Sequence, residues 1–377
     1  MELSNSTWVA VVGYGYWGSK HVRVLSTLPG VNVVVVDEDP ARLAEAQRNF
    51  PSAIPARSLA DVVDLVDGVV VATPPTTHAE IAAQALKWNK HTLVEKPLAT
   101  SVRDAHELVE TADRRGLQLM TGHTFVHNAA VHKLREIIRS GELGKIFYID
   151  TARLNLGLYQ HDVNVIWDLA PHDLSIISYL LDDTPGLVAA WAQHNVSGRH
   201  ADVAHLRLEM ASSAAAAYIH VSWLNPQKVR RVTVVGDRKM AIYNDILDED
   251  RIRIYDSGVD LRNPGDPDHS YAMPVTYRTG EIVSPHVAFR EPLLVQDQHF
   301  VDCIRTGARP RTSGEDGLRV VQALAAADLA QSTGGPVLID TIAAQATGPK
   351  AVGADGRARE VPMRVVPPLA EKRDDVA

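Results

Sequence analysis

Residues 9–18 read V-A-V-V-G-Y-G-Y-W-G, an apolar run that passes straight into Gly13-x-Gly15-x-x-Gly18, and a second apolar run, 33–36, ends on Asp37. Strand, glycine-rich turn, helix and a second strand closed by a carboxylate is the order that a dinucleotide-binding βαβ unit requires. Gly13 supplies the tight turn, Gly15 lets the backbone approach a pyrophosphate, and Gly18 lets the helix pack close to its strand. The amides of the helix N-terminus then face the phosphates. Asp37 stands 22 residues after Gly15, near the ~20-residue offset at which a carboxylate reaches the adenosine ribose hydroxyls. A negative charge there repels a 2′-phosphate, so the cofactor implied is NAD. Three glycines alone also fit the turn of some other α/β protein; the strand before, the helix after and the acid in register favour the cofactor.

The alternation continues. Strands are expected at 9–12, 31–36, 67–72, 91–94 and 117–121, and helices at 17–28, 40–49, 77–88 and 101–115. Continuous apolar strands belong in a parallel sheet covered on both faces. Asp39 before Pro40, and Ser101 three residues before Asp104, are helix-start signals. Residues 1–125 therefore read as a doubly wound, Rossmann-type domain.

Beyond residue 125 the pattern changes. A helix at 128–139 ends at Gly141-Glu142-Leu143-Gly144, and alternating runs follow at 145–156, 187–193, 204–210, 214–222 and 229–235, broken by a helix at about 171–181. Later helices are expected at 296–305 and 314–332, the second able to pack back on the first domain. The fold class is thus α/β: an N-terminal doubly wound domain, and a C-terminal α+β domain, 126–345, with a large, mostly antiparallel sheet. Such a sheet has a face free for a second copy, so a homo-oligomer, dimer or tetramer, is expected. Residues 346–377 form a tail, charged, proline-rich and aperiodic from 357, read as mobile or ordered only by a partner.

A chain of 377 residues suits two domains. Its net charge of −8 gives no footprint for nucleic acid or an anionic membrane. Cys303 is the only cysteine, so no intrachain disulfide forms. Residues 1–7 carry no basic, apolar leader, and no run approaches the ~20 apolar residues of a membrane span. The expected setting is the cytoplasm. His123, His127 and His132 invite a metal reading, but no second cluster supplies carboxylates or thiolates at ligand spacing, and no metal is expected.

Two further motifs carry chemistry. Glu95-Lys96-Pro97 puts a lysine at the carboxyl end of a parallel strand, where open α/β sheets bind ligands. Trp167-Asp168-Leu169-Ala170-Pro171-His172 follows some seventy residues later. With a helix beginning near Asp168, Asp168 and His172 share one face a turn apart, and Pro171 falls among the first residues, whose amides need no partner. An imidazole with an ordinary pKa near 6.5 can take a proton from an alcohol as hydride leaves its carbon. An ammonium can stabilise the developing alkoxide. Read singly, His172 is as well a capping or core histidine and Lys96 a solvated surface residue.

Together with the glycine fingerprint, these motifs resemble the Gfo/Idh/MocA family of glucose-fructose oxidoreductase, inositol dehydrogenase and sugar-nucleotide dehydrogenases, over about residues 8 to 340. The resemblance implies Lys96, Asp168 and His172 as catalytic residues, without settling which is the base. It implies that Gly13, Gly15, Tyr16, Trp17, Gly18, Asp37, Thr73, Pro74, His78, Glu95 and Lys96 line the cofactor, and that a cis peptide precedes Pro97. Arg153, Asn155, Tyr159 and Asn164 lie between the first strand of the second domain and the Asp168 motif, positioned to face a substrate; each alone also reads as a solvated loop residue. Thr121 to Phe125, Arg153 to Gly157 and Asp162 to Asn164 look most like the branch that oxidises C3 of UDP-N-acetylglucosamine-type sugars for a partner aminotransferase. An amino sugar or aminoglycoside is an alternative substrate. Ketosugar reduction, inositol oxidation and a non-catalytic NAD sensor are the alternative functions.

Overall fold

The computed structural model describes residues 6–157, 159–160, 162–196, 198–261 and 275–347. His161, and all but the first two residues of the tail, lie outside these. The first part of the chain runs β1 (Thr7–Val12), α1 (Tyr16–Leu25), β2 (Val31–Val36), α2 (Pro40–Asn49), β3 (Ile54–Ala56), β4 (Gly68–Val71), α3 (His78–Lys87), β5 (His91–Glu95), α4 (Val102–Arg115) and β6 (Leu119–Gly122). The six strands form one parallel sheet in the order β3-β2-β1-β4-β5-β6. Side chains leave its strands alternately. Val9, Val11, Val33 and Val35 meet Val22 and Leu25 of α1 on one face, whereas Ala10, Val34, Val69 and Val71 join Leu86 of α3 and Leu108 of α4 on the other. Covering both faces is what removes polar residues from these strands.

The remainder runs α5 (Ala129–Arg139), β7 (Ile146–Leu156), α6 (Val165–Leu181), β8 (Pro185–Gln193), β9 (Val203–Met210), β10 (Ala216–Ser222), β11 (Leu224–Gly236), β12 (Met240–Asn244), β13 (Ile252–Leu261), β14 (Val275–Val283), α7 (Pro292–Thr306), α8 (Gly314–Thr333), β15 (Val337–Leu338) and α9 (Ile339–Thr347). Its nine strands make a second sheet, β14-β13-β12-β11-β7-β10-β9-β8-β15. Every pairing in it is antiparallel except β7 with β10. One face packs on α6 and α8; the other leaves Tyr148, Trp191 and Tyr218 in solvent.

The late helices tie the two halves together. Phe300 and Val301 of α7 fill the core beside α1, and α8 contacts α4 and β6 as well as β8 and α6. No helix among the described residues is long and apolar enough to cross a membrane.

The structure departs from sequence expectation in α6. Asn164 caps it, accepting from the amides of Ile166 and Trp167, so the helix starts at Val165 and Pro171 lies inside it. The proline removes the amide that would bond the Trp167 carbonyl. Strands β3 and β12 to β15 and helix α9 were also unexpected.

Candidate active site

The cofactor cradle follows from backbone geometry. Gly13 has φ +92°, and a Cβ there would lie 2.9 Å from the Ala72 carbonyl oxygen, so only glycine fits. A Cβ on Gly18 would meet the Gly13 carbonyl oxygen at 1.7 Å, which is the close helix–strand packing expected of it. Around Gly15 nothing lies within 4 Å of that position, leaving an open approach beside the N-terminus of α1. No side chain caps that terminus and its first turn holds no acid, so its amides are available to a pyrophosphate. Tyr16 is 73% exposed and Trp17 37%, at the same turn. Asp37 closes β2; its Oδ2 accepts from the Tyr14 amide at 2.7 Å and its Oδ1 from the Asp39 amide at 2.9 Å. A carboxylate has lone pairs beyond these two for ribose hydroxyls. This donor set fits an NAD molecule.

Thr73 and Pro74 follow β4 at the same edge of the sheet. His78 does a different job from the one expected: it is buried, with Nδ1 2.8 Å from the Pro97 carbonyl and Nε2 2.9 Å from that of Thr73, and its neutral ring, with one N–H, donates to one of these two carbonyls rather than facing a cofactor. Burial lowers its pKa. Glu95 is likewise buried, with Oε1 on His21 and Oε2 accepting the Lys96 amide at 3.3 Å. The Lys96–Pro97 peptide is cis.

From this turn Lys96 reaches across to α6. Its Nζ donates to the Asp168 carbonyl at 2.8 Å and to Oδ1 at 3.0 Å. The other carboxylate oxygen, Oδ2, accepts from Trp223 Nε1 at 3.1 Å. His172 stands one turn on, edge to face with Phe125 at 5.0 Å, its Nδ1 buried without a hydrogen-bond partner. Burial first, then the charges of Lys96, Arg153 and Arg230, hold its pKa well below 6.5, so the imidazole is neutral at neutral pH. The site therefore pairs a fixed cation with a neutral proton acceptor. Among the described residues no group of three or more His, Cys, Asp or Glu could hold a metal ion.

The residues expected to face substrate divide. Asn155 lines the small cavity beside His172, and its Oδ1 is buried without a partner, an acceptor available to a hydroxyl. Arg153 borders the same cavity, but its guanidinium is spent on Asp173, with Nε and Nη2 at 3.0 and 3.1 Å, and lies over the Phe125 ring. Tyr159 packs against Trp223 with the ring centres 5.1 Å apart and the planes tilted by 51°. Asn164 is used structurally: its oxygen caps α6 and its amide donates to Asp328.

Residues missed in the sequence complete the site. Trp223 comes from the connection between β10 and β11, Lys228 and Arg230 from β11, and both latter residues line the cavity with His172. Between Leu224 and Val229 the pairing of β11 with β7 shifts register, and such bulges re-aim side chains near sites. No local pattern distinguishes these residues from a core tryptophan or a solvated cation.

Comparison with known proteins identifies the family. The model of the oxidoreductase family with NAD-binding Rossmann fold matches residues 8–123, and that of the GFO/IDH/MocA C-terminal domain matches 131–242. The chain belongs to the Gfo/Idh/MocA family of NAD-binding oxidoreductases. It is similar to D-apiose dehydrogenase of Paraburkholderia graminis, 24% identical over 355 residues that cover 89% of this chain and 91% of that one. It is 32% identical to glucose-6-phosphate 3-dehydrogenase of Bacillus subtilis over 144 residues, 37% of this chain and 40% of the relative. The chain spans about half the length of other curated relatives that it matches. Among solved structures, GenD2 from gentamicin A biosynthesis, in complex with NAD, superposes with a TM-score of 0.74 at 25% identity, covering 90% of this chain and 97% of that one.

Proposed function

We propose that the protein is an NAD-dependent dehydrogenase that oxidises a secondary hydroxyl of a sugar, at C3, to a keto sugar. The observation that carries this reading is the pairing of neutral His172 with the Asp168-bound ammonium of Lys96 at the carboxyl edge of the first sheet. NAD, when bound, supplies the acceptor for the hydride that leaves the carbinol carbon. His172 takes the hydroxyl proton, because it is the member of the pair with a free lone pair. Lys96, kept in place by the two hydrogen bonds that it donates to Asp168, donates a third to the oxygen as it gains negative charge. Trp223 holds the far side of the Asp168 carboxylate, so Lys96 has one stable orientation. Asn155 accepts from a neighbouring hydroxyl of the ring.

The C3 assignment is supported by the glucose-6-phosphate 3-dehydrogenase relative, and an amino-sugar substrate by the likeness to GenD2. A nucleotide sugar is the third member of the panel, and a 3-keto product is what an aminotransferase would consume. Exposed Tyr148, Trp191 and Tyr218 on the open face of the second sheet support a homo-oligomer, and the lone cysteine supports a reducing, cytoplasmic setting. The test is NAD reduction by the purified protein against UDP-sugars, hexose phosphates, inositols and aminoglycosides, with mass spectrometry for loss of two hydrogens at C3. Reduction with a C3 product is expected; a product oxidised elsewhere, or tight NAD binding with no turnover on any class, would overturn the reading.

A further inference from the structure

Directly behind Lys96 lies an ionic cluster that the reaction does not touch. His21, on α1, is fully buried; its Nδ1 is 3.0 Å from both carboxylate oxygens of Asp297 on α7, and its Nε2 is 3.0 Å from Glu95 Oε1 at the end of β5. Carboxylates only accept hydrogen bonds, so an imidazole facing one on each nitrogen makes both bonds as a cation with two N–H groups. The cluster has little slack. A Cβ on Gly122 would lie 2.9 Å from Glu95 Oε1, and Thr124 donates to Gln296 Oε1 at 2.8 Å on the residue before Asp297. Replacing two carboxylates and an imidazolium in a dry interior by well-packed apolar side chains is often neutral or stabilising, so fold stability alone is a weak reason for the cluster.

We propose that His21 is a positioning residue for catalysis: it fixes ionised Glu95 at the end of β5, and Glu95, through the Lys96 amide, fixes the turn from which the Lys96 ammonium reaches Asp168. His21 rides on the helix whose N-terminus meets the cofactor phosphates, so the link joins the cofactor helix to the lysine. This inference rests on reading Lys96 as part of the active site. The other titratable groups that feel Glu95 are Lys96, His78 and His123, and Arg23 on α1 feels Asp297.

The experiment compares His21→Gln, the double variant His21→Gln with Asp297→Asn, and wild type by kcat, KM and pH profile for NAD reduction with the best sugar of the panel. Without the cation, Glu95 and Asp297 compete for a shared proton. In His21→Gln, kcat is expected to fall about 30-fold at neutral pH with KM for NAD within about threefold, and to acquire a limb rising with pH as Glu95 ionises. Removing the second carboxylate should recover part of kcat and move that limb to lower pH, which a residue with a merely structural role would not do, since a second buried lesion would then make matters worse. Should His21→Gln fail to fold, Glu95→Gln keeps the shape and the His21–Asp297 pair, and should lose kcat at a near-native thermal midpoint. A double variant no better than the single one, or variants with wild-type kcat and a flat profile, overturns the role of His21 while leaving the dehydrogenase reading intact. A wild type that oxidises no sugar overturns both.

Discussion

Replacing Asp37 by alanine should switch cofactor preference, by an amount the structure sets. The carboxylate holds the amides of Tyr14 and Asp39, and Arg42 Nη1 stands 3.6 Å from it with about half its side chain in solvent. Charge-assisted hydrogen bonds to the ribose hydroxyls are each worth ~1.5–3 kcal/mol, and at ~1.4 kcal/mol per tenfold their loss raises KM for NAD by about 10-fold or more. For NADP the sign reverses. Two unit charges ~4 Å apart repel by about 1 kcal/mol in bulk water and about 4 kcal/mol near a protein surface, so losing the carboxylate relieves at least about fivefold. Arg42, released from its partner, then faces the 2′-phosphate. The ratio of kcat/KM for NAD over NADP should fall at least about fiftyfold, read from initial rates of nicotinamide reduction with both cofactors. Arg42→Ala added to Asp37→Ala should take back the NADP gain. The two amides left unpaired lower stability, so Asp37→Asn, which retains an acceptor, serves as the milder companion. A preference unchanged within threefold in a folded variant would refute the reasoning.

His172→Ala should lower kcat by about 10²–10⁴ while NAD affinity, measured by quenching of protein fluorescence, stays near wild type; comparable turnover would remove His172 as the base. Asp173→Asn strands the Arg153 guanidinium in the interior, and unfolding in urea should show a loss of ~3–5 kcal/mol. An unchanged midpoint would show that Arg153 has another partner in solution. His78, His123, His127 and His172 all have pKa values lowered chiefly by burial. Such groups stabilise the fold fully above pH 6.5, and the contribution is lost as pH falls toward their folded values, because the unfolded chain binds more protons there. His21 has the opposite sign. With its pKa raised to about 10 against burial by Asp297 and Glu95, it stabilises most below 6.5 and loses that contribution as pH rises toward 10. Thermal midpoints should therefore decline both below about pH 6 and as pH rises from about 7 toward 10, and a curve flat on the acid side would contradict the buried neutral histidines.

The first sheet was legible because its signals are local. Apolar strands of regular spacing, Asp39 before Pro40 and Ser101 before Asp104 each announce an element, and all of these appear where expected. The second sheet was legible only where alternation is strong. β9 alternates buried residues with exposed or half-buried ones and was found; β14 is exposed along most of its length, so burial writes no period into it. Asp168 and His172 were visible because one helix carries both. Trp223 and Asp297 act through contacts that fold topology creates, His21 with Asp297 across 276 residues, and nothing in the neighbouring sequence marks them. Asn164 shows the converse error: a polar residue beside a motif looked like a ligand contact, whereas the helix start needed its oxygen.

Lys96 and His172 oppose one another electrostatically, and that opposition divides the work between them. After burial, the charge of Lys96 is the largest cause of His172's low proton affinity. An imidazole so placed is a weak base and takes the proton of an alcohol only if the alkoxide is stabilised as it forms, which is the task that the proposed mechanism gives the ammonium. Removing Lys96 should thus have two effects of opposite sign: the oxyanion loses a donor, worth about 10²–10³ in kcat, and His172 becomes more basic. Asp168, still held by Trp223 but no longer facing a cation, adds to the second effect. In Lys96→Met the acidic limb of kcat/KM should move up toward pH 6.5, whereas Lys96→Arg, which keeps the charge, should leave it in place while still costing rate through misplaced geometry. The two profiles separate the donor from the field. A limb that stays put in Lys96→Met would mean that burial alone sets the proton affinity of His172, and a rate that does not fall in either variant would mean that Lys96 never meets the reacting oxygen.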